Sequence, residues 1–418
     1  MKKKIIYQVL PRLWKNGKFS DWDDASFKYL KSLGINSVWY TGVIRHASGQ
    51  DWVKGNPGCP YAISDYMDVN PYLASSARSR MKEFGQLVAR THEAGLDVII
   101  DFIPNHVSRQ GASGIPTYDR CDYDWTDTLK INYSHPDTWG KMLDIVLFWC
   151  GKGVDGFRCD MVELVPPDFL AWLIAEVKKI YPDTFFIAEV YGRQNYWKYV
   201  YEVGFDLLYD KSGLYDYIRA VICHGFTAKS MTWNWQSLGD MQTRMLNFME
   251  NHDEQRIASE YFAGSPDKGL AGMAVCALFN NASVMIYSGQ ECGESASDTP
   301  DGRTSIYEIK LPKSLANPDR KILTQYRKLM KLSSKAPFDG GDNWDLCYCN
   351  HSSQGFNPDR HFAFLRKNSR KAYAVVCNFS DRCADMDLYI PQETGLAPGS
   401  FEVSVPAWGY SVIEIPTN

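Results

Sequence analysis

The stretch "GVDGFRCD", Gly153 to Asp160, closes an apolar run with an arginine and an aspartate two residues apart. A core strand loses stability by carrying charge, so such an ending needs a use. Period-two alternation puts Arg158 and Asp160 on one face, with Phe157 and Cys159 on the other. An arginine does not release its proton, so Arg158 is a fixed cation beside the Asp160 carboxylate.

Working outward, the stretch lies between two helical patterns, "DTWGKMLDIVLFWCGKG" (137–153) and "PPDFLAWLIAEVKKIYP" (166–182). The second begins at prolines and closes with lysines, as helices do. Similar short apolar runs recur at "IIYQVL" (5–10), "INSVWYT" (35–41), "DVIIDFI" (97–103), "TFFIAEV" (184–190), "FDLLYD" (205–210), "RMLNFME" (244–250) and "SVMIYSG" (283–289). Helical stretches at 23–34, 78–95 and 318–333 fit between and after them. Strands alternating with helices predict a parallel sheet, and eight of them at this length favour closure into a (β/α)8 TIM barrel over an open sheet.

After Ala336 the pattern changes to short alternating runs such as "HFAFLRK", "KAYAVVCNFS" and "YSVIEIP". These predict a C-terminal antiparallel β-sandwich. Residues 104–136 are polar and lack a clear period, as expected of a short insert after the third strand. The predicted organisation is a catalytic barrel over 1–103 and 137–336, a short inserted domain over 104–136 and a β-sandwich over 337–418. No GxGxxG or Walker sequence occurs, which counts against nucleotide binding.

Composition narrows the partners. The chain has 418 residues with net charge −4 and no basic stripe, so nucleic acid is not expected as a partner. No stretch approaches the ~20 apolar residues of a membrane span. The basic start "MKKKIIYQVL" lacks an h-region of roughly 7–15 residues, so a cytoplasmic location is expected. The 11 cysteines include no CxxC pair and read as reduced core thiols; alternation would place Cys347 and Cys349 on one strand face. Nothing in the sequence sets an oligomeric state.

In a barrel of this kind, reactive groups sit where strands end. The third strand ends in Asp101, Asn105 and His106; the fourth in Arg158 and Asp160; the fifth in Glu189; the seventh in Asn251, His252 and Asp253. Each alone has an ordinary reading as a helix cap, an ion pair or a turn. Together they converge on one face. Asp160 and Glu189 come from adjacent strands, which predicts carboxyls about 5–6 Å apart, the spacing of a retaining glycosidase. The rival, metal-assisted hydrolysis, finds no HxH on the first strand and no HExxH anywhere.

These segments, in this order, resemble the α-amylase family of glycoside hydrolases (family 13). "DFIPNH", "GFRCD", "FFIAEV" and "FMENHD" match its four signatures, and "VMIYSGQECGE" is similar to its eighth-strand segment. The resemblance implies a retaining α-glucosidic hydrolase with an α-glucan oligosaccharide as substrate. Asp160 would be the nucleophile, Glu189 the general acid/base and Asp253 the third carboxylate. Tyr61, His106 and His252 would contact the sugar, Arg158 would orient Asp160, and Asp101 would pair with Arg158. No cofactor is required for the chemistry. The resemblance leaves room for a structural calcium, with Asn105 matching a family ligand.

Two departures stand out. The family often carries Lys-His three and four residues after the nucleophile, serving the acceptor side; here they are Glu163 and Leu164. Pro60 precedes Tyr61 where the family usually has glycine. The same residues also suit an α-glucan transglycosylase. A non-catalytic carbohydrate-binding barrel is the alternative from another class, against which stand the three retained carboxylates.

Overall fold

The structure, a computed structural model, describes residues 2–307 and 312–417. Eight strands close into a barrel: β1 (Ile5–Val9), β2 (Ser37–Tyr40), β3 (Asp97–Phe102), β4 (Gly156–Cys159), β5 (Phe185–Ala188), β6 (Leu207–Tyr209), β7 (Met245–Asn247) and β8 (Ser283–Tyr287). They follow one another around the barrel in chain order, β8 returning to β1. The pairings β1–β2, β2–β3, β3–β4, β4–β5, β5–β6 and β7–β8 are all parallel. The (β/α)8 architecture predicted from the spacing is therefore present.

The local signals explain the helices between strands. In α1 (Asp24–Leu33), the Asp23 carboxylate accepts from the Ser26 amide, and Gly34 ends the helix in a left-handed conformation. In the helix Pro167–Ile180, proline opens the first turn, where its missing N–H costs nothing. Burial of Phe169, Leu170, Leu173, Ile174 and Val177 gives that helix its inward stripe.

The outer faces of the central strands are aromatic. Phe157 of β4 stacks on Phe186 of β5 at 5.7 Å and meets Phe102 of β3 edge-on at 6.5 Å. That sets the alternation: with Phe157 and Cys159 outward, Arg158 points into the barrel. Gly156 is dictated by space, since a Cβ there would lie 2.4 Å from the Phe185 ring.

By internal contacts the chain divides into two compact units, one of residues 6–209 with 305–312, the other of the first five residues with 210–304 and everything from Lys313. In the first unit, the segment after β3 forms a hairpin of His106–Ser108 with Thr128–Lys130, so the insert has more order than its polar sequence suggests. A second hairpin, Ile44–His46 with Ile63–Val69, carries the chain from β2 towards the second helix.

In the second unit, β9 (Asp342–Asp345), β10 (His361–Lys367), β11 (Ala372–Asn378) and β14 (Tyr410–Ile415) form one antiparallel sheet. β12 (Ala384–Ile390) and β13 (Gly399–Val405) form another. Leu346, Leu365, Val376, Leu388, Val405 and Ile415 share the core of this module. Arg366, fully buried, docks it on the helix Leu270–Leu278: Nη1 donates to the Leu278 carbonyl at 3.0 Å, and Nη2 to Pro337 and Gly341 carbonyls at 2.8 and 3.1 Å. Phe279 packs between Phe362 and Phe364 at 4.9 and 5.1 Å. The expectation that Cys347 and Cys349 lie on a strand is corrected: Cys347–Asn350 is a short helical turn, with the Asn350 amide tying it to the Leu346 and Tyr389 carbonyls.

Candidate active site

The barrel register builds the site. Asp101 on β3 pairs in register with Arg158 on β4, which faces Ile187 on β5. The next residues out, Asp160 and Glu189, leave their strands side by side, each amide bonding the carbonyl of the strand before it. Arg158 therefore reaches three carboxylates. Nη1 lies 2.5 Å from Asp160 Oδ1 and 3.6 Å from Asp101 Oδ1, and Nη2 lies 2.7 Å from Glu189 Oε1.

The sequence assigned this cation to Asp160. The structure shares it with Glu189, so that one guanidinium bridges the two carboxyls. All four groups are buried. One cation does not offset three desolvated anions, so the carboxyls hold on to protons. Burial pushes Asp101 up to about 7, against the pull of Arg158. Burial also raises Asp160 and Glu189, each tempered by Arg158. Burial opposes the charge of Arg158, but Glu189, the Tyr61 and Tyr209 phenols and Asp160 hold its pKa well above the usual value.

Aromatic faces complete the setting. The Arg158 guanidinium lies 5.4 Å from the Tyr61 ring centre, 5.5 Å from Trp39 and 5.7 Å from Tyr209. Trp39 Nε1 and the Gly42 amide donate to Asp101 Oδ2 at 3.1 and 3.2 Å, and the Tyr61 hydroxyl donates to Oδ1 at 3.3 Å. Trp39 and Tyr209 escape a reading of the sequence because aromatics within strands look like core; their inward register, next to and at the strand ends, is the signal that marks them. Glu189 gains two further donors: the Met161 amide to Oε2 at 2.9 Å and the Tyr191 hydroxyl to Oε1 at 3.0 Å. Met161 presents that amide from a left-handed backbone with φ of 44°, a strained conformation for a side chain of its size.

His106 is buried against Trp125 at 5.2 Å and is linked to the Tyr61 backbone. Burial pushes its pKa down to about 4, so it is a neutral hydrogen-bonding imidazole at pH 7. His252 and Asp253, just beyond β7, form a pair of their own, Nε2 to Oδ2 at 3.1 Å. The Asp253 amide donates to Asn251 Oδ1 at 2.8 Å, a turn that holds the partly exposed carboxylate.

The donors around Asn105 do not fit a calcium ion. Asn105 Oδ1 is buried without a hydrogen-bond partner, as a ligand oxygen would be. Its amide nitrogen, however, donates to Asp122 at 3.0 Å, and the Lys130 ammonium sits 3.0 and 2.9 Å from the two Asp122 oxygens. A cation already neutralises that carboxylate. Asp127 lies beside Lys54 at 3.5 Å. Among the described residues no group of three acidic, histidine or cysteine side chains is gathered to hold a metal.

The family model for the alpha-amylase catalytic domain matches residues 8–127 and 118–309. The chain belongs to the alpha-amylase family. Alpha-amylase 2 of Dictyoglomus thermophilum is 24% identical over 346 residues, 74% of this chain and 56% of its own length. An alpha-1,4-glucan:maltose-1-phosphate maltosyltransferase of Cereibacter sphaeroides is 27% identical over 253 residues, 51% of this chain and 41% of its own. The chain thus spans about half the length of these curated relatives. Among solved structures, the alpha-amylase of Geobacillus thermoleovorans aligns with a TM-score of 0.79 at 18% identity, covering 98% of each chain. The maltogenic alpha-amylase AmyB of Thermotoga neapolitana aligns at 0.75 and 22% identity, covering 99% of this chain and 96% of its own. These likenesses carry the alpha-amylase fold over the full length.

Proposed function

We propose that this member of the alpha-amylase family is a retaining glycosidase that hydrolyses α-glucosidic bonds, chiefly α-1,4, in malto-oligosaccharides. The observation that carries the reading is the Asp160–Arg158–Glu189 arrangement: two buried carboxyls on adjacent strand ends, bridged by one cation. A pair that shares a cation and a desolvated pocket has one member ionised and one protonated, the division of labour a retaining reaction needs.

Glu189, protonated, gives its proton to the glycosidic oxygen as the bond to the anomeric carbon breaks. The Asp160 carboxylate attacks that carbon from the opposite face, and a β-glycosyl ester forms. The leaving sugar departs with the proton. Glu189, now a carboxylate, takes a proton from water. The water oxygen attacks the anomeric carbon, freeing Asp160 as carboxylate and restoring Glu189 as acid. Arg158 compensates whichever carboxyl is charged at each stage, since it contacts both. Asp253 and His252, with His106 and Tyr61, would grip the sugar being cleaved.

Incubation with maltoheptaose, panose, pullulan and trehalose, with products resolved by chromatography, tests the reading. Release of shorter maltodextrins from maltoheptaose, with retained anomeric configuration, supports it; cleavage of trehalose or panose alone, or of nothing, overturns it. A second reading, transfer of the glycosyl group to another sugar, is favoured by the maltosyltransferase named above. Longer products from concentrated maltoheptaose would mark it.

A further inference from the structure

Glu163 stands where the family's acceptor-side lysine would be, and the structure gives it a different occupation. It lies in the single turn Val162–Leu164 after β4, with its carboxylate turned to the segment that follows Glu189. Oε2 accepts the Tyr191 amide at 2.8 Å and the Gly192 amide at 3.1 Å; Oε1 accepts Asn195 Nδ2 at 2.6 Å. Gly192 has an ordinary negative φ and lets the carboxylate come close: a Cβ there would stand 2.7 Å from Glu163 Oε1 and 2.8 Å from Asn195 Nδ2. A second tie runs the same way, the Tyr199 hydroxyl donating to the Val162 carbonyl at 3.1 Å. The turn after β4 thus holds the segment after β5 at several points. What that segment presents to the site is the Tyr191 hydroxyl, 3.0 Å from Glu189 Oε1, on a side chain 36% exposed. A residue so exposed and outside the strand keeps a fixed contact only if its backbone is fixed.

We propose that Glu163 and Tyr191 are positioning residues for the proton donor: Glu163 fixes the backbone of residues 191–195, and thereby aims the Tyr191 hydroxyl at Glu189. The inference rests on the reading of Glu189 as general acid. The groups facing Glu189 are Arg158 from β4, Asp160 and the Met161 amide just beyond it, Tyr209 from β6 and Tyr191 from its own loop. Of these, Tyr191 donates to the ionised form and is within reach of solvent and substrate. A glycosidic oxygen approaching the acid has to share or displace that donor, so the contact favours the carboxylate before substrate arrives and yields when the proton is needed. The segment after Glu189 is stiffened from the side, where the family's lysine would have reached for the acceptor sugar.

The sign of the effect is set by linkage. The alkaline limb of kcat/KM reports loss of the Glu189 proton in the free enzyme. Removing a donor to the carboxylate raises its pKa, so Tyr191→Phe is expected to move that limb up by about 0.5–1 pH unit, with kcat lowered about three- to tenfold. Glu163→Ala is expected to move the limb the same way, and the double variant to move it no further, because one acts through the other. An unmoved limb in Tyr191→Phe, or shifts that add in the double variant, would overturn the proposal. A crystal structure of Glu163→Ala gives a readout independent of substrate: the Tyr191 hydroxyl is expected beyond hydrogen-bond distance of Glu189, and an unchanged contact refutes the anchoring. Loss of the glucan activity from the unaltered protein would instead sink the reading beneath it.

Discussion

Arg158 and Glu189 meet at 2.7 Å, in a pocket where the same guanidinium already holds Asp160 at 2.5 Å. The arginine is therefore a shared counter-ion for both proposed reacting carboxyls. Replacing it with methionine leaves buried carboxyls without their cation, a change that typically costs 3–5 kcal/mol. Arg158→Met is expected to lower the unfolding free energy by about that much at pH 7. The deficit should shrink as pH falls, because burial raises the pKa of all three carboxyls and protonation removes the charge that the arginine offsets. Urea unfolding at several pH values measures both; a deficit independent of pH would contradict the shared role.

Asp160→Asn tests the nucleophile. The amide keeps the volume and still accepts from Arg158, so the fold and melting temperature should hold. Turnover of maltoheptaose is expected to fall by about 10⁴-fold or more. Turnover within tenfold of the unaltered protein removes Asp160 from the mechanism.

Asp101 gives stability a pH dependence of definite sign. Its folded pKa, about 7, stands above the ordinary carboxylate value. Its contribution is complete below pH ~4 and is lost as pH rises through 7. Asp101→Asn removes this titration, so the variant should gain on the unaltered protein by ~2–4 kcal/mol between pH 4 and 8. His46 and His106 act in the opposite direction. Both are pushed down to about 4 by burial, so their contribution, full above pH ~6.5, is lost as pH falls through 4. Thermal melts across the range should show both slopes.

The Lys130–Asp122 pair predicts indifference to chelation. Millimolar EDTA should leave the melting temperature unchanged, and added calcium should not raise it, because mass action stabilises only where a site exists. Lys130→Ala should lower the melting temperature by freeing Asp122, by an amount calcium titration can then examine. A calcium-dependent melt in the unaltered protein would contradict the misfit found at Asn105.

The parts of this molecule that could be read in the sequence are those where local pattern and tertiary role coincide. "DFIPNH", "GFRCD" and "FFIAEV" lie where barrel strands end, so Asp101, Arg158, Asp160 and Glu189 are legible as one set. The C-terminal runs alternate cleanly and form sheets. Trp39 and Tyr209 were missed because a large aromatic in a strand satisfies the core reading equally well; only the closed barrel reveals that they ring a cation. Cys347 and Cys349 were placed on a strand because two residues are too few to distinguish periods, and four residues of helix bounded by Asn350 bonds won. Glu163 was seen as a departure, but its use depends on a loop 28 residues on, a distance no local pattern spans.

Arg366 and Lys3 carry a consequence for how the chain is made. Lys3 Nζ donates to the Ala277 carbonyl at 2.7 Å, and Arg366 Nη1 to the Leu278 carbonyl at 3.0 Å. A residue that precedes β1 and one from the C-terminal module thus satisfy neighbouring carbonyls at the end of the same helix. A chain halted before residue 361 has the Leu278 carbonyl without Arg366, and Phe279 without Phe362 and Phe364. Folding of the later barrel strands is then completed only after the C-terminal module has been synthesised, and a gene cut at the domain boundary would yield a barrel that associates through an unfinished edge.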